Sequence, residues 1–281
     1  MLAYIDWNVD PVLFSIGSLK VRYYGLLFVS GFILGYFMFK SFFQREKLPV
    51  SLLDPLLYLL IFCTLIGARL GHVLFYQPDW YLAHPLEILK VWEGGLASHG
   101  GAIGILIGIV WFVKKYGRRY DFDYLWVMDR LAIAVPFAGM FIRLGNLMNS
   151  EIYGNPTDLP WGFIFHRCGE TVPMHPTQLY EAGCYLITGV IMVLLYKYAA
   201  SKLRRGFLFG LFLVLIFGAR FAIEFVKLPQ VAFEQGMPLD MGQLLSIPFI
   251  LAGIWLMVRE TKLPALLPTP AEGVNAAGRK H

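Results

Sequence analysis

Several ionisable side chains of this 281-residue chain lie inside long apolar stretches, where a charge is expensive to bury. They include three arginines, Arg69, Arg143 and Arg220, with the histidine His99 and the glutamate Glu224. Arginine offers a planar fork of N–H donors that matches a phosphate, and it does not lose its charge. Histidine can accept and return a proton near neutral pH. These residue types together indicate a site that binds an anion and moves a proton.

Seven apolar runs carry or flank these side chains. A helix needs about 20 apolar residues to cross a bilayer, and each run is continuous rather than alternating, which argues against a membrane β-barrel. The sequence therefore predicts an all-α, polytopic membrane protein with seven transmembrane helices. The predicted spans are Tyr24–Phe43, Leu52–Phe75, Leu96–Val113, Leu125–Met148, Gln178–Lys197, Gly206–Val226 and Met241–Val258.

The composition excludes several other classes of protein. Hydrophobic residues make up 57% of the chain and charged residues 15%, against about 25% charged residues in soluble domains. A soluble enzyme, a disordered chain and a disulfide scaffold are thereby ruled out, and the three cysteines have no metal-binding or disulfide spacing. The net charge of +5 is distributed as in a membrane protein and does not indicate nucleic acid binding.

Orientation follows from the basic residues, because cytoplasmic loops retain lysine and arginine. Fifteen of the 24 lie by the connections after odd-numbered runs and five on the opposite side. We therefore predict an N-terminus outside, without a cleaved signal peptide, and a C-terminus in the cytoplasm. Residues 1–262 are predicted to form one catalytic domain, with a short amphipathic arm before Tyr24 and a small periplasmic loop region at about 149–177 between helices four and five. Residues 263–281 are predicted to be a mobile cytoplasmic tail.

With this orientation and a rise of 1.5 Å per residue, polar groups from six helices fall in the outer leaflet. We expect them to line a cavity with more arginine than carboxylate, suited to a phospholipid headgroup. Asp129 and Arg130 lie near the inner end of helix four, where an interfacial charge pair is expected. The outer group consists of Tyr24, Arg69, His99, Arg143, Arg220, Glu224 and Gln243.

Each candidate also has a simpler structural explanation. Arg220 and Glu224, four residues apart on one helix face, could be a buried ion pair. Arg143, near a helix end, could extend its charge into water. His99 could be a hydrogen-bonded core histidine. The pattern leaves these alternatives open.

Separate motifs run in order along the chain from Asp10 to about Met257. In type and spacing they resemble the bacterial prolipoprotein diacylglyceryl transferases. They are Arg22–Leu26; Gly67–Tyr76; Trp92–Gly95 followed by Ser98–Gly101; Arg143–Asn146 with Asn149, Glu151 and Gly154; His175–Glu181; Arg220–Phe225; and Met241–Pro248.

The resemblance implies transfer of the sn-1,2-diacylglyceryl group from phosphatidylglycerol to the lipobox cysteine of a prolipoprotein signal peptide. The products are a thioether and glycerol phosphate, in the first step of bacterial lipoprotein maturation. It implies no metal, no organic cofactor and no nucleic acid. It also implies the bacterial inner membrane, with the active site toward the periplasmic leaflet.

Carried onto matching positions, the resemblance implies that His99, Arg143 and Arg220 are catalytic. Supporting residues at matching positions are Tyr24, Asn146, Glu151, Gly154 and Glu224, to which we add Arg69 and Gln243 from their depth in the membrane.

Two positions depart from the family. Ile216 stands where the family often has a tyrosine, which puts a hydroxyl contribution from helix six in doubt, and Lys227 stands where it has an arginine.

We hypothesise that His99 accepts or relays the thiol proton, while Arg143 and Arg220 bind the phosphate and stabilise the departing charge. Glu151 is the alternative base. Gly154 is expected to form a backbone turn that a side chain would not permit. His175 is expected either to contact the peptide substrate or to cap a helix.

Other function classes compete with this interpretation. A transporter of a small organic anion could use the same arginine-lined cavity, but no internal repeat is visible and the charges lie toward one leaflet. An intramembrane protease would need a nucleophile with a base, or paired aspartates, within the spans. A non-catalytic lipid-binding scaffold is the third alternative.

Overall fold

The computed structural model describes residues 4–17, 19–91, 94–228, 239–259 and 265–266. Within them, seven helical segments are long and apolar enough to cross a membrane, which confirms the seven predicted spans to within a few residues. The protein is therefore a mostly helical, multi-pass membrane protein; its orientation stays a prediction. The segments are Tyr23–Arg45, Val50–Tyr76, His99–Tyr120, Tyr124–Met148, Thr177–Tyr198, Phe207–Glu224 and Met241–Val258.

The helices and strands follow in chain order, with short 3₁₀ turns between some of them. The third span contains a π-helical turn, Val113–Gly117, between α4 and α5. The elements are β1 Ile5–Trp7, β2 Val12–Ile16, β3 Leu19–Arg22, α1 Tyr23–Arg45, α2 Leu53–Tyr76, α3 Pro78–Ala83, α4 Ser98–Phe112, α5 Arg118–Tyr120, α6 Tyr124–Met148, β4 Phe163–Phe165, α7 Thr177–Tyr198, α8 Phe207–Glu224 and α9 Met241–Val258.

The chain divides into two compact units. The first unit comprises Met1–Met38 and Met128–His281, and the second comprises Phe39–Val127. The prediction of one domain over residues 1–262 stays a prediction.

In the second unit, α2 and α4 pack through glycines. A Cβ atom added to Gly104 would overlap the carbonyl oxygen of Cys63 and come within 3.1 Å of the Gly67 Cα atom. Gly71 meets Gly100 in the same way, with an added Cβ only 2.7 Å from the Gly100 Cα atom. Small residues let two membrane helices approach closely enough for backbone packing. These glycines therefore fix the contact between the two helices.

The first unit contains β-strands that the all-α prediction missed. β1 pairs in parallel with β4, in the register Ile5 with Phe163 and Trp7 with Phe165, and β2 pairs with β3 in an antiparallel hairpin. The residues before Tyr24, predicted as an amphipathic arm, are therefore largely extended. Three-residue strands leave no periodic pattern, and a partner more than 150 residues away is invisible to local sequence analysis.

Strand pairing gives the loop region between α6 and α7 its own apolar cluster. Leu147, Phe163, Phe165 and Met174 are buried together, with Trp7 packed against them. The Trp7 indole also donates to the carbonyl oxygen of Leu147 at 3.1 Å. The region at 149–177 is thus joined to the end of α6 and does not extend freely from the membrane.

At the other end of the first unit, Asp129 and Arg130, the expected interfacial charge pair, are fully buried in the protein. The Asp129 carboxylate accepts the N–H groups of Gly206 and Phe209, at 2.7 and 2.9 Å, and so caps the start of α8. The Arg130 guanidinium donates to the carbonyl oxygen of Leu266 at 3.0 Å. Both side chains therefore contribute to helix packing, and their placement at the membrane interface stays a prediction.

Residues 265–266 belong to the segment that was predicted to be a mobile tail. Leu266 is 1% exposed, and its N–H donates to the carbonyl oxygen of Leu203 at 2.6 Å. The start of the tail is therefore packed on the protein. Residues 263–264 and 267–281 of that prediction lie outside the described residues.

The glycine contact predicts the effect of a single methyl group. In Gly104→Ala the new methyl meets backbone atoms of α2, so we expect a loss of about 1–3 kcal/mol in unfolding free energy. In Gly35→Ala nothing lies within 4 Å of the added atom, so the helix preference of alanine leaves stability unchanged or higher. Thermal unfolding in detergent compares the two variants. Equal melting temperatures would contradict the proposed packing.

Candidate active site

Arg143 is the best-connected of the candidate residues in the first unit. Its Nε atom lies 2.7 Å from the Glu181 carboxylate, and its Nη1 atom donates to the Asn146 side-chain oxygen at 3.3 Å. The Arg143 side chain is 15% exposed and that of Glu181 1% exposed. Arg143 is therefore held inside the protein by α7 and by its own helix, and it does not extend into water.

The ion pair continues beyond Glu181 to the end of α8. The second Glu181 oxygen accepts a hydrogen bond from the Lys227 ammonium group at 2.9 Å. The Lys227 Nζ atom also lies 3.8 Å from the Glu224 carboxylate. Glu224 also presses against Gly242 at the start of α9, where an added Cβ would be 2.5 Å from a carboxylate oxygen. The four side chains, Arg143, Glu181, Lys227 and Glu224, form a continuous buried chain of alternating charge.

Arg220 is not part of this chain. The two residues of the expected alternative pair, Arg220 and Glu224, do not form an ion pair, because Glu224 faces Lys227. Within the described part of the protein, no carboxylate pairs with Arg220. Tyr185 lies close enough to both Arg220 and Arg143 to interact with their charges. Both arginines thus have Tyr185 as a neighbour. Among the described residues, only Arg143 has a carboxylate partner, Glu181.

Glu151 lies in a strained turn directly after α6. Its Oε1 atom accepts the side-chain amides of Asn146, at 2.8 Å, and of Asn149, at 3.2 Å. The residues on either side, Ser150 and Ile152, have φ values of 55° and 60°. A β-branched residue rarely adopts this left-handed conformation, and such strain is concentrated at functional sites.

The start of α7 clamps this turn. The Gln178 amide donates to the Glu151 carbonyl at 2.7 Å, and the Thr177 hydroxyl donates to the Ile152 carbonyl at 2.9 Å. Both donor side chains are fully buried. Two hydrogen bonds from one rigid helix end therefore hold the Glu151 backbone in its strained form.

Gly154 is required by close approach rather than by its backbone angles. Its φ lies outside the left-handed region, so the expected turn is not the reason for a glycine. An added Cβ would meet the carbonyl oxygen of Val226, would lie 2.7 Å from the Thr177 methyl group and 2.9 Å from the His175 Cβ. Gly154 also forms a β-bridge with Lys227. The glycine thus lets the segments after α6 and α8 touch.

Two further predicted residues lie in the same unit. The Tyr24 ring packs on Gly145, and its hydroxyl lies near the charges of Glu151 and Arg143. The Gln243 side chain forms a capping box with Asp240 at the start of α9, is 2% exposed and donates to the Phe221 carbonyl at 3.3 Å. Tyr24 therefore borders the charged groups, whereas Gln243 joins α9 to α8.

Arg69 and His99 belong to the second unit. The buried Arg69 guanidinium donates to the carbonyl oxygens of Glu87, Ile88, Gly94 and Gly95, at 2.5, 2.9, 2.7 and 3.3 Å respectively. Four backbone acceptors occupy most of its donors, so Arg69 organises the connection between α3 and α4.

His99 has a different setting from Arg69. Its ring is exposed and contacts those of Phe75 and Tyr76, with centroids 5.3 and 6.0 Å apart. It is therefore not the core histidine that was considered as an alternative. Two residues of the neighbouring motif, Trp92 and Glu93, lie outside the described residues.

The comparisons with known proteins decide the family. Residues 11–259 match the family described as prolipoprotein diacylglyceryl transferase. The chain is 51% identical over 256 residues to the phosphatidylglycerol–prolipoprotein diacylglyceryl transferase of Tolumonas auensis, covering 91% of this chain and 97% of the relative. It is 47% identical to the Porphyromonas gingivalis protein of the same name, covering 93% and 96%. A Cupriavidus pinatubonensis relative is 40% identical over 89% and 90% of the two chains.

The chain belongs to the prolipoprotein diacylglyceryl transferase family. It is therefore a membrane-embedded transferase, as the order and spacing of its motifs predicted. The anion transporter, the protease and the non-catalytic scaffold are no longer needed as interpretations.

Sequence analysis missed Glu181, the residue that joins the charged chain together. Glu181 is the last residue of the His175–Glu181 motif and lies near the start of a span. The criterion that selected Glu224, a carboxylate in an apolar run, would have found it too. Gln178 and Tyr185 gave a weaker signal, since an amide or hydroxyl in a span is less costly to bury.

The departures from the family differ in consequence. Ile216 is buried in α8 one turn before Arg220, and it brings no hydroxyl group there. Lys227, in contrast, keeps a positive charge at the position and makes contact with two carboxylates. The substitution at Lys227 therefore preserves the charge pattern of the site.

The thiols of the transferase are poor candidates for a nucleophile. Burial and the nearby Glu170 carboxylate raise the pKa of the Cys168 thiol, so it stays protonated at neutral pH. Cys63 and Cys184 lie within spans. The chain thus offers no activated thiol of its own among the described residues.

The environment of His175 predicts a pH dependence of stability. Burial lowers its pKa from 6.5, and its Nδ1 atom lies 3.1 Å from the Tyr180 hydroxyl. The unfolded chain then binds more protons near this pKa, so the contribution is present above pH 6.5 and is lost as the pH falls below that value. We expect the melting temperature to decrease on acidification below pH 6.5, and His175→Gln to reduce that decrease.

Melting curves of wild type and His175→Gln at a series of pH values test this prediction. His84→Gln, which removes an exposed imidazole, serves as the control and should keep the wild-type pH dependence. Identical slopes for wild type and His175→Gln would show that the histidine does not contribute.

Proposed function

We propose that this transferase moves the sn-1,2-diacylglyceryl group of phosphatidylglycerol onto the lipobox cysteine of a prolipoprotein signal peptide. The names of its relatives give the lipid and protein substrates. The observation that carries the proposal is the arginine pair. Arg143 is fixed on a buried carboxylate within a membrane span, and Arg220 has no carboxylate partner among the described residues. A phosphodiester is the anion that a membrane supplies to such a pair.

The proposed reaction is a substitution at carbon. The cysteine sulfur attacks the glycerol carbon that carries the phosphate ester, a C–S bond forms and the C–O bond breaks. The electron pair of the broken bond stays on the phosphate oxygen, so glycerol phosphate leaves. The thiol proton passes to a base on the enzyme. The products are the thioether and glycerol phosphate, without any cofactor.

The arginines act where charge develops. The phosphodiester carries one negative charge, and the leaving phosphate monoester gains a second as the C–O bond breaks. Preorganised cationic donors stabilise such developing charge more strongly inside a water-poor site than in water. Arg143 is already oriented by Glu181 and Asn146, so little reorganisation is required. Arg220 supplies the uncompensated positive charge.

The base is proposed to be His99, with Glu151 as the alternative. The His99 imidazole is exposed and flanked by aromatic rings, which leaves its ring nitrogens accessible. The Glu151 Oε1 atom already accepts two amide N–H groups, which hold its side chain in place. We therefore assign Glu151 and Asn146 to headgroup binding and to the support of Arg143.

The remaining candidates are proposed to bind or to position. Tyr24 and Glu224 border the headgroup site, and Gly154 permits the close approach of its two walls. Arg69 and Gln243 act through the segments that they hold. We place the enzyme in the bacterial inner membrane with its active site toward the periplasmic leaflet. The distribution of lysine and arginine supports this orientation.

The first test follows release of glycerol phosphate by the purified full-length protein in detergent, with phosphatidylglycerol and a lipobox peptide. We expect release with the cysteine peptide and none with the matching serine peptide, because the sulfur is the nucleophile. Mass spectrometry of the peptide should show the added diacylglyceryl group. Release that is independent of the peptide thiol would contradict the proposed transfer.

The second test separates a fork of donors from a point charge. Arg143→Lys keeps the charge but cannot contact Glu181, Asn146 and a phosphate together. We expect a loss of about 10²–10³ in kcat, as for removal of a donor that stabilises an oxyanion. Arg167→Lys, at an exposed arginine 3.7 Å from Asp10, is the matched control and should retain full activity. Near-normal turnover of Arg143→Lys would refute the bidentate role.

A further inference from the structure

We infer that Glu181 and Lys227 are positioning residues that act through Arg143, and that Lys227 sets the charge of the headgroup site. The inference rests on the proposed function and extends it to two residues outside the predicted set. Glu181 lies between Arg143 Nε, at 2.7 Å, and Lys227 Nζ, at 2.9 Å. One carboxylate with a cation on each oxygen has a single low-energy orientation.

The geometry leaves the other side of Arg143 available. Glu181 occupies the Nε edge of the guanidinium group, Asn146 contacts Nη1, and the Tyr185 hydroxyl is a further hydrogen-bond partner of Arg143. A guanidinium group has five N–H donors, so these contacts leave part of the fork for an anion. Glu181 therefore determines the direction in which the remaining donors point, and Lys227 determines the position of Glu181.

The charges of these buried side chains largely balance one another. Arg143 and Lys227 are balanced by Glu181 and Glu224, so the buried chain of four has no net charge. Arg220 is then the cation of the group that has no carboxylate partner among the described residues, so its charge is available to a phosphodiester. Without Lys227, Glu181 would keep only Arg143 as a cation and Glu224 would lose its cation, so the site would be one charge more negative and would attract an anion less strongly.

The backbone fixes the position of Lys227. Lys227 forms a β-bridge with Gly154, and the Asn155 N–H donates to the Val226 carbonyl at 2.8 Å. The Lys227 side chain is 2% exposed, so its ammonium group cannot move to water. Gly154 and Lys227 thus belong to one contact between two segments. A glycine is needed at position 154 because a side chain there would keep the segment that carries Lys227 from coming close.

Stability alone is a poor reason for this arrangement. Removing two charges from water costs several kcal/mol per ion, and apolar replacements of buried ion pairs are often neutral or stabilising. A buried chain of four charges is therefore better explained by what it holds in place. A positioning role and a purely structural role make different predictions for kinetics.

The test uses the full-length enzyme in mixed micelles with phosphatidylglycerol and the lipobox peptide. It compares Lys227→Met, Lys227→Arg, Glu181→Gln and the double variant Glu181→Gln with Lys227→Met. Lys202→Met is the matched control, since Lys202 is exposed and precedes α8, whereas Lys227 follows α8. For each variant we measure kcat, KM for each substrate, inhibition by glycerol phosphate, and melting temperature.

We expect Lys227→Met to raise KM for phosphatidylglycerol and the inhibition constant of glycerol phosphate about tenfold, with peptide KM unchanged. Lys227→Arg should restore wild-type values, because it retains the charge. Glu181→Gln should lower kcat about 10- to 100-fold, because Arg143 loses its anchor. In the double variant, loss of Lys227 should add little to the loss from Glu181→Gln, because one residue acts through the other.

Other outcomes would overturn the inference. Two results would show that Glu181 and Lys227 do not act through Arg143. One is that Lys227→Met has the same kinetics as Lys202→Met. The other is that the losses multiply in the double variant. Parallel loss of melting temperature and of all kinetic constants would show a structural role. If Lys227→Met cannot be purified folded, the isosteric Glu181→Gln variant decides alone: unchanged kcat refutes the inference. Absence of thiol-dependent release in wild type would instead refute the proposed function.

Discussion

The constraint on which this structure depends is the cost of charge inside a membrane. An arginine in a span must be paired or must face a ligand. Arg143 meets the first requirement through Glu181, and Arg220, without a carboxylate partner among the described residues, meets the second through the proposed phosphate. In the proposed function this cost has two effects: the arginine paired with Glu181 is held in place, and the arginine without a carboxylate partner among the described residues attracts the anion.

The loop region between α6 and α7 of the first unit supports these charges. The strained turn at Glu151 is held by Thr177 and Gln178, so the energy of hydrogen bonding offsets unfavourable backbone angles. Gly154 then brings the loop against the segment that carries Lys227. Strand pairing of β1 with β4 anchors the N-terminal segment of the chain to the same region. Loop residues thus acquire the precision that catalysis requires from the helix ends around them.

The second unit solves a different packing problem. Its α2 and α4 approach through glycines, which lets backbone atoms replace side-chain contacts. Arg69 uses backbone carbonyl groups as partners, so a charge that resembled a ligand-binding group orders a connection instead. His99 follows at the start of α4 with an exposed ring. The same residue type, arginine in a span, therefore provides local order at one position, whereas ligand binding is proposed for it at another.

The sequence by itself determined the seven spans, the family and the identity of most charged residues, because hydrophobic length and motif order are local properties. It also indicated that Arg143 and Arg220 need an anion. Only the tertiary structure decided the pairing of charges: Glu181 rather than water holds Arg143, and Lys227 rather than Arg220 faces Glu224. Partners on different helices, and strands more than 150 residues apart, depend on contacts that no local pattern specifies. Burial makes those contacts necessary, since an unpaired charge in lipid has no water to solvate it.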